Sequence, residues 1–358
     1  MSRFLIRRLL SSLPVMVGIL LITFVIIRGI RGDPCRAILG ERATQESCER
    51  FNERNGLNKS VPEQFAIYVG RFVTGDLGDP FRLGKPVTEI LAERLPVTAE
   101  LALSALVFAT LFGVPLGIIS AYRHNSTVDV GTMLGANIGI SMPVFWLGLM
   151  LSYLFAVILK DTPFVLPPSG RLSPGMNPAP YYEVWGWVKD GEVAPQLWVF
   201  LGRFTIANGL ITGNWPLFWD AVRHIILPAV TVSTIPLAII ARMTRSSLLE
   251  ALNQDYVRTA RAKGLSERRV VFQHAFRNAL LPVVTIIGLS FGLLFSGAVL
   301  TETVFSLTGV GRTLFEAITA RDYNVVQAVT IVSAFAFVLI NLAVDLVYGL
   351  LDPRIRLN

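Results

Sequence analysis

Charge is the scarcest ingredient of this sequence. Only 16% of its 358 residues are Asp, Glu, Lys or Arg, against 53% hydrophobic, and the mean hydropathy is +0.56. Soluble domains carry about a quarter charged residues, so this balance excludes an ordinary water-soluble fold. The shortage is concentrated in six stretches, 9–27, 101–121, 130–159, 225–241, 278–301 and 323–344, which contain no charged side chain at all. A bilayer core about 30 Å thick needs roughly 20 apolar helical residues, so each stretch reads as a membrane-spanning helix, the fourth being the shortest.

Other scarcities exclude chemistry. No glycine-rich loop ending in Lys-Ser or Lys-Thr is present, so the chain lacks the amides and ammonium that cradle a nucleotide and is expected to carry no cofactor. The three histidines, His124, His224 and His274, lie far apart, and none has a second His or Cys at ligand spacing, which argues against a metal site. No nucleophile or acid pair sits inside a span: Asp76 lies in a polar connection, and Asp345 at the end of the sixth stretch is the main ionisable exception. An intramembrane enzyme or a proton-driven carrier would need such groups, or an inverted repeat, and no repeat is apparent. Cysteine occurs only twice, at Cys35 and Cys48.

What is there sets the topology. The first stretch follows Arg3, Arg7 and Arg8, but no small-x-small cleavage site precedes Arg28, so it reads as a retained helix. Lys and Arg are retained on the cytoplasmic side during insertion. Residues 242–278 hold eight basic and three acidic side chains, whereas 29–97 hold ten of each, 160–223 five of each, and 302–322 two basic against three acidic. Both termini are therefore expected in the cytoplasm, and the net charge of +7 is a topology signal with no call for a nucleic-acid partner. Cys35 and Cys48 then share an outside connection where thiols can oxidise; a disulfide is expected, two free neighbouring thiols being the alternative.

The chain divides into residues 1–96, a first span plus a structured outer connection; 97–351, a core of five spans with a cytoplasmic segment at 244–278; and a tail, 352–358. Within the outer connection, Phe65, Tyr68, Val69 and Phe72 recur at three-and-four spacing after Pro62, predicting an amphipathic helix over Val61–Val73. Residues 87–95 begin another helix, stopped by Pro96. The third stretch carries Gly135, Gly139, Pro143 and Gly148, small residues for close packing and a proline for a kink. The second outer connection is rich in tryptophan, which suits a membrane-interface belt.

The long inner segment is the most informative. Leu248, Leu252, Tyr256 and Ala260 recur every fourth residue and predict an apolar stripe, with Arg258, Arg261 and Lys263 off it. Gly264 can end a helix in the left-handed conformation, and Ser266 is a good N-cap for the next. The pattern describes a helical elbow, and by itself it serves equally for a pair of helices resting on acidic headgroups.

Here the sequence resembles a known family. Asp255-Tyr256-Val257-Arg258-Thr259-Ala260-Arg261-Ala262-Lys263-Gly264-Leu265, followed by Arg277-Asn278-Ala279-Leu280-Leu281-Pro282, is similar to the cytoplasmic coupling motif of the dipeptide and oligopeptide ABC transporter permeases. Arg258 and Thr259 replace the Glu-Ala of the generic importer motif, as is typical of the peptide branch. The likeness extends through Ile235-Pro236-Leu237-Ala238, Ala241-Arg242-Met243-Thr244-Arg245-Ser246-Ser247 and Leu300-Thr301-Glu302-Thr303-Val304-Phe305 to Leu351-Asp352-Pro353-Arg354-Ile355-Arg356. Near the start it includes Arg31-Gly32-Asp33-Pro34 and Gly75-Asp76-Leu77-Gly78. Leu307-Thr308 in place of Trp-Pro, and a longer second outer connection, depart from the pattern.

The resemblance implies an all-α integral membrane protein with six transmembrane helices and the type I ABC importer permease fold, in a bacterial inner membrane. It implies a second homologous permease subunit, two ATPases that bind ATP and Mg²⁺, and an extracytoplasmic solute-binding protein as partners. Leu252, Asp255, Tyr256, Arg258, Thr259, Ala260, Gly264 and Leu265 would couple the chain to the ATPases. Close relatives carry nickel, glutathione or other small solutes, so the substrate stays open at this point, and an autonomous secondary transporter is the reading from a different class.

Overall fold

The computed structural model describes residues 2–29, 35–36, 40, 43–54, 56–78, 80, 84–189 and 191–351. The motif at 31–34 and the tail at 352–358 lie outside the described residues. Among the described residues, regular structure is helical throughout. In chain order come α1 (Ser2–Gly29), α2 (Gln45–Arg54), α3 (Val61–Val73), α4 (Val87–Tyr122), α5 (Thr127–Ser141), α6 (Val144–Tyr153), α7 (Tyr181–Val184), α8 (Gln196–Gly202), α9 (Thr205–Ile211) and α10 (Trp215–Leu252). They are followed by α11 (Asp255–Ala262), α12 (Glu267–Arg269), α13 (Phe276–Gly297), α14 (Val299–Val304), α15 (Val310–Ala320) and α16 (Tyr323–Leu351).

Four helical segments are long and apolar enough to cross a membrane: Val87–Tyr122, Trp215–Leu252, Glu267–Phe295 and Tyr323–Leu346. The pair α5 and α6, with its continuation to Ile158, makes a fifth if counted as one broken span, and α1 contributes the shorter apolar stretch Leu10–Ile26. The fourth expected stretch, the shortest in sequence, is the middle of the 38-residue α10. That helix is about 57 Å long at 1.5 Å per residue, so both of its ends project well past a bilayer core. It is also the hub: 61% of its most apolar 18 residues are buried, against about a third or less for the other three spans.

Glycine explains how α4 reaches α10. A Cβ on Gly117 would stand 2.5 Å from the Ala241 carbonyl oxygen, and one on Gly113 would stand 2.9 Å from that of Leu237. Only glycine lets the two backbones approach this closely.

Two proline expectations are corrected. Pro96 does not stop a helix; α4 runs through both Pro96 and Pro115. A proline inside a helix costs about 3 kcal/mol, and here the surrounding turns are held by burial of Val97, Leu101, Ala102 and Ala105 in the core. At Pro143 the expected kink is a full break, with α5 and α6 bent by 102°. Met142, forced extended by the following proline (φ −80°, ψ 130°), ends α5, and α6 restarts from Pro143.

The end of the bundle that carries residues 160–223 is tied by carboxylates, Glu100 and Glu302 buried and Asp220 partly so. Glu100 on α4 pairs with Arg171 (2.6 Å) and accepts from the Ile206 amide (2.8 Å), while Asp220 on α10 accepts from both the amide and the hydroxyl of Ser173 (2.8 and 2.6 Å). Glu302 is fully buried; it accepts from Thr98 Oγ1 (2.6 Å) and the Arg312 amide (2.8 Å), and Thr98 in turn accepts from the Val310 amide (2.8 Å). Burial pushes the Glu302 carboxyl above its ordinary range, and these donors oppose that shift. Three of the tryptophans form a cluster of tilted rings, with Trp185 to Trp187 at 5.0 Å and Trp187 to Trp198 at 5.3 Å between ring centres.

α3 forms over the expected residues, and its Phe65 packs on Phe24 of α1 at 5.2 Å. Cys35 and Cys48 are joined in a disulfide, with Cα atoms 5.4 Å apart and a sequence separation of 13. Closing a loop of that size stabilises the connection by about 3 kcal/mol in the chain-entropy account. Peptide mass spectrometry of the non-reduced protein is therefore expected to recover the two cysteines in one linked fragment. Recovery of both as free thiols would refute the bridge.

Candidate functional site

The elbow begins where α10 ends. After Leu252 the backbone turns at Asn253 and Gln254, whose ψ of 150° takes it out of the helix, and α11 starts at Asp255. An acid in the first turn and Arg261 in the last complement the helix dipole. Gly264 closes α11 with φ +76°, as expected. The Leu265 amide reaches back to the Ala260 carbonyl (3.4 Å) and the Gly264 amide to that of Arg261 (2.9 Å), the paired bonds of a Schellman cap.

Ser266 then stands at the N-cap of α12, but its side chain makes no capping bond. The second arm runs through a wide turn, Val270–Ala275, with the Phe276 amide bonded to the Val271 carbonyl five residues back, and continues as α13. Arg261 spans the corner to Glu267 at 2.8 Å. Both side chains are more than two-fifths exposed, so this pair contributes about 0–1 kcal/mol.

The break at 253–254 alters which face is apolar. A stripe of Leu248, Leu252, Tyr256 and Ala260 presumes one continuous helix, and the extended Gln254 shifts the phase of everything after it. Val257 and Ala260 point inward and pack with Leu248, Ala251, Val270 and Ala275; Leu252 and Leu265 flank this cluster. Tyr256 is 39% exposed. Asp255, Arg258 and Thr259 are exposed beside it, with the Asp255 and Arg258 side chains 3.5 Å apart. Of the eight residues expected to form the coupling surface, Asp255, Tyr256, Arg258 and Thr259 thus share the outward face. Ala260 and Leu265 seat the elbow on its own bundle, and Gly264 sets the angle between its arms. Val257, with no exposed surface, was missed; its signal was the i, i+3 spacing to Ala260.

A second group, also missed, anchors the elbow from behind. Asp129, in the first turn of α5, is 3% exposed. Arg245 of α10 grips it through two hydrogen bonds, Nε to Oδ1 at 2.7 Å and Nη2 to Oδ2 at 2.8 Å. The Ser120 hydroxyl donates to the same carboxylate from α4, and the Asn125 amide donates at 3.0 Å. Three helices therefore meet on one carboxylate, two turns before α10 gives way to the elbow. In sequence, Asp129 and Arg245 appear only as two charges flanking spans, 116 positions apart.

Comparison with known proteins gives a consistent result along the whole chain. Residues 113–357 match the family described as binding-protein-dependent transport system inner membrane component, and residues 1–102 match the N-terminal model for membrane components of the same systems. The dipeptide transport system permease protein of Alkalihalophilus pseudofirmus is 44% identical over 357 residues, covering 99% of this chain and 100% of the relative. The di/tripeptide transport system permease protein of Pseudomonas aeruginosa is 45% identical, covering 99% of each. An oligopeptide transport system permease protein of Bacillus subtilis is 36% identical, covering 99% of this chain and 100% of the relative.

Proposed function

Because the chain belongs to the binding-protein-dependent transport system inner membrane components, we propose that it is one of two permease subunits of an ABC importer for di- and oligopeptides, the solutes named for its full-length relatives. It forms half of the translocation path; a homologous permease forms the other half. A solute-binding protein delivers substrate from outside, and two cytoplasmic ATPases, which hold ATP and Mg²⁺, drive the change of access. Six helices span a bacterial inner membrane with both termini in the cytoplasm, α1 being the first of them. Residues 97–351 make the transporting core, and 1–96 add α1 and the outer connection.

The observation that carries the coupling role is the division of α11 into two faces. Val257 and Ala260 are locked into the chain's own core, while Tyr256, Arg258 and Thr259 present a mixed aromatic and polar surface beyond the end of α10. A push on that surface is transmitted to α10 and α13 because the elbow packs on both. Orientation is testable directly. An impermeant thiol reagent applied to intact cells is expected to label Val193→Cys, at a position 97% exposed in the 160–223 connection, and to spare Ser266→Cys in the elbow. The reverse labelling would sink both the orientation and the coupling role.

A further inference from the structure

A groove of about 580 Å³ opens where the last turn of α4 meets the second arm of the elbow. Its floor is apolar, made by Ile118 and Ile119 from α4 and by Val271 and Phe272 from the wide turn. Tyr122 stands at its side, and Arg123 and Arg268 complete its lining. The wide turn buries Val270 and Ala275 while leaving Phe272 half exposed, and Ile119 and Tyr122 are 45% and 57% exposed. The charge-free stretch of α4 closes at residue 121 beside the groove, and that of α13 opens at 278, six positions beyond Phe272, so the groove flanks the ends of both apolar spans at headgroup level.

Neither guanidinium has a hydrogen bond or ion pair among the described residues. The acids that could have served them are engaged elsewhere: Glu267, next to Arg268, by Arg261, and Asp129, six positions after Arg123, by Arg245. Two uncompensated cations above an apolar trough, with a tyrosine at headgroup level, are complementary to one chemistry, a phosphodiester that carries acyl chains. A free phosphate would make no use of the floor. A second copy of this surface would set arginine against arginine.

We propose that this groove binds an anionic phospholipid, with the phosphate held by Arg123 and Arg268 and an acyl chain laid over Ile119 and Phe272. The inference rests on the span ends and is independent of what the protein transports.

The test is native mass spectrometry of the delipidated full-length protein, titrated with phosphatidylglycerol, with phosphatidylcholine and with inorganic phosphate. Wild-type protein is expected to bind phosphatidylglycerol more tightly than phosphatidylcholine. Arg123→Gln/Arg268→Gln is expected to weaken phosphatidylglycerol about thirtyfold, roughly fivefold per cation at an anionic surface, and to leave phosphatidylcholine unchanged. Ile119→Ser/Phe272→Ser is expected to weaken both lipids, and helical circular dichroism checks that each variant is folded. Equal affinity for the two lipids, or unchanged phosphatidylglycerol binding in the arginine variant, overturns the proposal. So does displacement of phosphatidylglycerol by inorganic phosphate at matched concentration, which would make this a free-anion site. Loss of subunit co-purification in the arginine variant with lipid binding intact would make it a protein interface, and also overturns it.

Discussion

Gly264→Val is expected to assemble in the membrane with its partners and yet to lose substrate-stimulated ATP hydrolysis. The cause is confined to the backbone. A Cβ at this position would meet nothing within 4 Å, so no clash accompanies the substitution, but the φ of +76° is one that a β-branched residue adopts only at a cost of about 1–3 kcal/mol. The Schellman bonds from Gly264 and Leu265 exist only in that conformation. Without it the second arm leaves the corner at a different angle, and the outward face of α11 is misaligned with α13. A bias of about 1–3 kcal/mol against the competent elbow lowers its population about 5- to 150-fold.

A graded series separates this account from a general surface effect. Asn, which tolerates the left-handed region, is expected to stay near wild type; Ala is expected to fall between; Val is expected to be worst. The measurement is ATPase stimulation by peptide-loaded binding protein in the reconstituted complex, with assembly scored separately by size-exclusion chromatography. A fully assembled Gly264→Val complex with normal stimulation would show that the elbow is not the transmission element.

The corner at Gly264 was legible because it is local: a glycine after a helical run, followed by a good starter, carries its conformation in its own covalent structure. α3 was legible for the same reason, since its spacing and Pro62 suffice. The inward and outward faces of α11 were not. Reading them required knowing that two residues at 253–254 break the helix, and neither is a glycine or a proline, so the periodicity ran on past the break and turned Tyr256 the wrong way.

Ala260 shows the functional cost of that error. On a continuous stripe Ala260 would face a partner, but it is 5% exposed among the chain's own side chains. Ala260→Glu would therefore unseat the elbow from its bundle. Pro96 and Pro143 show the complementary limit. The same residue type is absorbed into a continuous helix in one place and breaks a span by 102° in the other, and the difference lies in what packs around each. The carboxylate that joins α4, α5 and α10 was invisible because its arginine lies on another helix, far along the chain.

That carboxylate supplies the largest stability effect expected of any single side chain discussed here. Among the described residues, Arg245→Met removes the only side-chain cation hydrogen-bonded to Asp129 and leaves a carboxylate 3% exposed to water, held by Ser120 and the Asn125 amide. Removing one partner of a buried pair costs about 3–5 kcal/mol, because the remaining charge is neither paired nor hydrated. Asp129→Asn leaves the opposite remnant. The Arg245 side chain is 25% exposed and can turn its guanidinium toward water, so about 1–3 kcal/mol is expected, the cost of lost hydrogen bonds with little trapped charge. The double variant Asp129→Asn/Arg245→Met should then lie near Asp129→Asn, far from the sum of the two, since with the acid neutralised the arginine has no buried charge to answer. Membrane proteins seldom unfold reversibly, so the reading is the rate at which monodisperse protein is lost on heating in detergent, compared across the four forms. Strict additivity of the two single effects would mean that the pair is only adjacent, and that α4, α5 and α10 are held together at this end by apolar packing alone.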